Sequence, residues 1–141
     1  MAVVEDLLRA HEMYYADFTQ PVIEVVRLMV EHNIGAVPVL RNGELAGIFS
    51  ERDLMKRVVA VLLDPRQTRV GDVMTVNPLV VSPDCRLEDC MELMKAHGFR
   101  HLPVCDRSKL RGLISLRDLL AHAVVEKDGE VQAMRAYIAQ S

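Results

Sequence analysis

Shifted against itself by 65 residues without a gap, the chain superposes Leu28-Met29 on Leu93-Met94, His32 on His97 and Pro38-Val39 on Pro103-Val104. Leu45 falls on Leu110, Gly47 on Gly112, Ser50 on Ser115, and Arg52-Asp53-Leu54 on Arg117-Asp118-Leu119. These are 11 identities over the 27 positions 28–54, where a chance identity of roughly 7% leaves about two. A chain of 141 residues has room for one sizeable core or two small fused ones. The repeat therefore restricts it to one small unit built twice, with the two units closing on each other.

Each copy reads in the same order. Val22, Val25, Val26 and Met29 form one apolar stripe of a helix, with Glu24, Arg27 and Glu31 opposite; Leu87, Cys90, Met91 and Met94 repeat it against Glu88, Glu92 and Lys95. Two β-prone runs follow, Ala36–Leu40 and Leu45–Phe49, joined through Asn42-Gly43, a pair that favours a tight hairpin. Their counterparts are Leu102–Cys105 and Leu110–Ile114. A second helix starts after Ser50 and after Ser115, and short strands are expected ahead of the first helices at Met13–Ala16 and Leu79–Val81. The fold class is α/β (α+β), with tandem β-α-β-β-α repeats packed about a pseudo-twofold axis. The copies divide as 1–65 and 66–127 across the Pro65 break, and Val131, Met134, Tyr137 and Ile138 suggest a last helix in 128–141. Apolar residues on the second helices (Leu54, Val58, Leu62, Leu119, Val124) leave an outer face that a homodimer would cover.

Composition narrows the function. The longest apolar run, Val58–Leu63, is six residues, far below the ~20 that span a bilayer. Glu5 and Asp6 stand where a secretory signal would be basic. The 17 basic and 20 acidic residues form no basic block, Trp is absent, and phosphate-tracking nucleic-acid binding is not expected. Cys85, Cys90 and Cys105 are an odd set without metal-ligand spacing, as in a reducing cytoplasm. The methionines follow helical spacing and read as core, and His32 and His97 read as caps at helix ends.

Both copies carry Gly-x-x-Ser-x-Arg-Asp-Leu, at Gly47–Leu54 and Gly112–Leu119. One reading is a helix start, with Ser at the N-cap and Asp closing a capping box. That does not call for a Gly three residues before the Ser, nor a Pro nine residues before the Gly. The other reading is a ligand site: the Gly admits a ligand to the strand end, and the Asp carboxylate accepts both hydroxyls of a ribose beside a helix N-terminus that favours phosphate. No nucleophile accompanies Asp53 or Asp118, so acid–base catalysis is not expected.

The Pro-Val strand followed by Gly-x-x-Ser-x-x-Asp, twice in tandem, resembles the CBS (cystathionine-β-synthase) domain pair, or Bateman module. Gly35–Val39, Gly47–Asp53, Val70–Thr75 and Phe99–Val104 carry the likeness over essentially residues 1–127, which leaves no room there for a catalytic domain. The resemblance implies a non-catalytic regulatory module that binds AMP, ADP, ATP or S-adenosylmethionine between its repeats and signals to an unidentified protein. It assigns one site to Ser50, Asp53, Ala36, Val37 and Ile48, with Thr68 supplying a hydroxyl and Val73 below it. It assigns the other to Ser115, Asp118, Leu102, Leu113 and Arg117, with Arg100 and His101 on the phosphate side. The sites are unequal, because Thr68 corresponds to Val3, and Arg100-His101 to Gly35-Ala36. The Asp118 site is expected to prefer phosphorylated ligands, with His101 strengthening AMP binding as pH falls from about 8 to 6. Arg100, His101, Arg52 and Arg117 also fit plain surface polar roles. Two rival functions stay open: a ligand-free structural or interaction module, and a redox- or metal-responsive one using Cys85, Cys90 and Cys105. A Cys85–Cys90 bridge depends on how the helix start places the two thiols; otherwise they are inert and buried.

Overall fold

The computed structural model describes residues 2–8 and 13–126, so the helix expected at 128–141 lies outside the described residues. The first copy opens with α1 (Val4–Leu8), β1 (Ala16–Asp17) and α2 (Val22–His32), and continues with β2 (Ala36–Arg41) and β3 (Glu44–Ser50). α3 (Glu51–Asp53) then runs on as a π-helical segment, Leu54–Val59. The second copy has α4 (Val70–Val73), β4 (Thr75–Val76), α5 (Leu87–His97), β5 (His101–Asp106), β6 (Lys109–Ser115) and α6 (Leu116–Glu126).

The two hairpins are near replicas. β2 and β3 pair antiparallel with Ala36 opposite Ser50, and β5 and β6 with His101 opposite Ser115. Both slip register at the equivalent step, between Val39 and Leu40 and between Val104 and Cys105. Asn42 and Gly43 both take positive φ in the first turn, as Asn-Gly allows. In the second turn Arg107 adopts φ 61° without a glycine to relieve it. β1 lies parallel to β2 with Ala16 opposite Val39, and Val81 bridges in parallel to Val104 at the equivalent point. β3 and β6 face each other across the interface between the copies.

The cores do not follow the repeat boundary. α4 and Met74, from the second copy, supply Val70, Val73 and Met74 to the core of the first, around Val22, Val25, Met29, Val37, Phe49 and Val58. α1, from the first copy, supplies Val4 and Leu7 to the core of the second, around Leu87, Cys90, Met94, Leu102, Ile114 and Leu119. Each copy lends the other the helix that precedes its first strand. β4 completes the exchange by pairing with β3, Thr75 opposite Ile48.

The outer face differs from the sequence expectation. Val58 and Leu119 are 0% and 1% exposed and belong to the cores, because each lies on the inner side of its helix. Leu54 is half-buried against the first core, whereas Leu62 is 92% exposed. The exposed apolar side chains after α3 are Met55, Val59, Val61, Leu62 and Leu63, and Leu120 is exposed on α6. The side chain of Val124 lies outside the described ones.

Candidate functional site

Both Ser–Asp pairs form complete capping boxes. Ser50 N–H donates to Asp53 Oδ2 at 2.9 Å and Asp53 N–H to Ser50 Oγ at 3.2 Å; Ser115 N–H donates to Asp118 Oδ2 at 3.0 Å and Asp118 N–H to Ser115 Oγ at 3.1 Å. The helix-start reading is therefore correct at both positions. The surroundings of the two carboxylates differ.

Asp53 is 6% exposed and committed to protein donors. Besides Ser50 N–H, its Oδ2 accepts Ser50 Oγ at 3.0 Å, while Oδ1 accepts Thr75 Oγ1 at 2.9 Å and faces Arg57 Nε at 3.7 Å. Arg57 is held there by donating to the Met74 carbonyl at 2.6 Å. The threonine is not Thr68. That hydroxyl donates to the Asp64 carbonyl at 2.8 Å and closes the turn between the copies. Thr75 reaches Asp53 because β4 pairs with β3 one strand away; Thr68 precedes α4 and lies outside that strand. Val37 and Val73 point into the first core and Ile48 is buried in the ladder, so they do not open onto a cleft beside Asp53.

Asp118 is placed differently. It lines a cleft of about 1430 Å³ between the two copies, together with Arg100, His101, Leu113, Ser115 and Arg117. The facing wall comes from the first copy and includes Gly35, Ala36, Glu51, Tyr14 and His32. Ala36, assigned to the Asp53 site, thus borders the cleft of Asp118. Leu102 does not line it, being wholly buried in the second core. Arg100 and Arg117 are exposed cations, with the Glu51 and Asp118 carboxylates beside them in the same cleft. Burial holds His101 below the ordinary histidine range, opposed by the Asp118 and Glu51 carboxylates and aided by Arg100. The imidazole is therefore neutral at pH 7, and any gain in phosphate affinity from its charge is confined to acid pH. Tyr14 and His32 stack with ring centroids 3.9 Å apart, which gives the cleft an aromatic wall. His32, read as a cap, is the last residue of α2, and the cap itself is Asn33, in the left-handed region.

Packing calls for a glycine at both motif positions. A Cβ at Gly47 would stand 2.7 Å from Met74 Sδ, and one at Gly112 would stand 2.7 Å from Leu8 Cδ2. Each glycine admits the segment borrowed from the other copy. Sequence reasoning missed Thr75, Glu51 and the Tyr14–His32 stack. A signal for Thr75 was present, since it ends the Val70–Thr75 phrase that carries part of the family likeness.

No helix among the described residues is long and apolar enough to cross a membrane. The CBS domain family matches the chain twice, over residues 4–60 and 70–125. The Bacillus subtilis CBS domain-containing protein YhcV is 39% identical over 100 residues, covering 71% of each chain. The mitochondrial CBS domain-containing protein CBSX3 of Arabidopsis thaliana is 36% identical over 122 residues, 83% of this chain but 59% of that relative's length. Among solved structures, a putative signal-transduction protein with CBS domains from Burkholderia ambifaria superposes with TM-score 0.84 at 35% identity, covering 89% of this chain and 96% of that one. CBSX2, solved in complex with AMP, superposes with TM-score 0.75 at 28% identity over 90% of this chain and 99% of its own. With two family matches, an internal repeat and a fold shared with tandem relatives, the chain belongs to the CBS domain family, as a pair of CBS domains.

Proposed function

We propose that this CBS pair is a non-catalytic regulatory module that binds one phosphorylated adenosine ligand per chain, in the cleft at Ser115 and Asp118. AMP is the ligand best matched to one arginine on the phosphate side; ADP, ATP and S-adenosylmethionine are its competitors. The observation that carries the reading is the joint placement of Asp118, at the start of the 11-residue α6, and Arg100 in one cleft between the copies. Asp118 accepts the ribose hydroxyls, and Arg100, with Arg117 nearby, meets the phosphate through charge-assisted hydrogen bonds. AMP bound to CBSX2 supports the choice of ligand class. Asp53, whose oxygens already accept protein donors, acts as a structural strut rather than a second ribose site. The module works in the cytoplasm as a homodimer joined through the Met55, Val59 and Leu62 surface, and a further protein reads the bound state.

Calorimetric titration with AMP, ADP, ATP, S-adenosylmethionine and adenosine tests this. We expect about one AMP per chain, and a ~10–100-fold loss of affinity in Asp118→Ala, from hydrogen bonds to a charged group worth ~1.5–3 kcal/mol. Asp53→Ala should keep AMP affinity in protein verified to be folded. Two AMP per chain, or equal losses in both variants, would return Asp53 to the ligand sites. No binding of any of the five would favour the ligand-free interaction module.

A further inference from the structure

The start of α5 holds a second chemical feature, apart from the cleft. Cys90, in the first turn of α5, points its thiol at Cys85, just ahead of the helix, with the two Sγ atoms 3.4 Å apart. Both are free thiols; Cys90 is fully buried and Cys85 half-buried. Burial, the contact with Cys85 and the neighbouring Asp89 push the Cys90 thiol up to about 12, so it stays protonated. A disulfide holds its sulfurs at about 2.05 Å, so bonding asks for a further ~1.4 Å of approach, on the scale of a side-chain rotation. The loop carrying Cys85 is also where the beginning of the chain docks. Val4 N–H donates to the Cys85 carbonyl at 2.9 Å, Glu5 N–H to that of Pro83 at 2.8 Å, and Leu87 N–H to that of Ala2 at 3.3 Å.

We propose that Cys85 and Cys90 form a peroxide-responsive dithiol, whose disulfide clamps the α1-docking loop to α5. The accessible Cys85 reacts first: its thiolate attacks hydrogen peroxide, the O–O bond breaks, and Cys85 sulfenic acid and hydroxide result. The Cys90 sulfur then attacks the Cys85 sulfur as the S–O bond breaks, and the Cys90 proton leaves with the departing oxygen as water. Two sulfurs together lose two electrons, and one peroxide ends as two waters. Burial assigns the roles, because solvent reaches Cys85 but not Cys90. Cys105 lies on β5 and takes no part.

The test treats the whole chain with hydrogen peroxide, quenches it, and alkylates the remaining thiols in denaturant. The expected count falls from three thiols to one, the unalkylated mass drops by about 2 Da, and digestion yields a peptide pair joined through Cys85 and Cys90. Dithiothreitol should restore all three thiols. Cys105→Ser should still lose two thiols, whereas Cys90→Ser should stop at a Cys85 sulfenic acid that dimedone traps. In the oxidised parent, amide exchange at Val4, Glu5 and Leu87 should slow. Three thiols surviving conditions that oxidise glutathione, or a bridge to Cys105 or to a second chain, would overturn the dithiol. A Cys85–Cys90 bridge with unchanged exchange at those amides would overturn the clamp.

Discussion

Arg100 offers the cleft a charge that Gly35, its counterpart in the other copy, has no means of matching. Arg100→Ala should weaken AMP by ~1.5–3 kcal/mol and barely change adenosine, because the lost pair is made only to phosphate. Calorimetry with both ligands decides it, and equal losses would make Arg100 a support of the fold. His101 beside it is held below the ordinary histidine value, chiefly by burial. Below about pH 6.5 the unfolded chain takes up a proton at this position sooner than the folded one, so stability falls as pH drops through that window. His101→Gln should flatten part of the decline in unfolding free energy between pH 7 and 5.5, read by urea titration at each pH. Parallel curves for variant and parent would show that the imidazole does not drive it. For the rise in AMP affinity expected from about pH 8 to 6, this direction favours the acid end of that range. Thr75 tests the other carboxylate: Thr75→Val should cost ~1.5–3 kcal/mol of stability and leave AMP affinity unchanged. The residue types on each side were legible from the motif, but the state of each carboxylate was not. A capping box looks the same in sequence whether its Asp lines a cleft or is covered by a neighbouring strand.

At the scale of elements, the two motif glycines mark where each copy receives a segment of the other. The cost of filling them differs with what stands opposite. At Gly112 an added Cβ meets only the end of the Leu8 side chain, which can rotate away. At Gly47 it meets Met74 and the backbone of Thr75, which are pinned by β4 pairing and by the Arg57 hydrogen bond to the Met74 carbonyl. Gly47→Ala should therefore destabilise by ~1–3 kcal/mol and Gly112→Ala by less, as measured by chemical denaturation. A reversed order would mean that α1 is held more rigidly than β4. The helices and hairpins themselves were readable from periodicity, since apolar spacing and Asn-Gly chemistry act locally. The exchange of α1 and α4 was not, because four- and five-residue helices carry too few apolar positions to show which core they enter.

For the whole molecule, Met55, Val59 and Leu62 leave apolar side chains in solvent, and Leu62 takes φ 62°. Light scattering at micromolar concentration should report twice the 15.9 kDa chain mass, and Leu62→Asp should shift it towards a single chain. A parent that scatters as one chain across that range would sink the dimer. The lending of α1 to the second copy also has a consequence in time. Glu5 is ion-paired with Arg111, 106 residues further on, and Leu8 lies over Gly112. On a ribosome α1 is made before the segments it packs on, the loop at residues 83–87 and β6. Contacts this distant in sequence slow folding. α1 thus works as a completion latch: it closes over the second copy once β6 has been made, and a chain that stops before β6 lacks part of the seat for its apolar face.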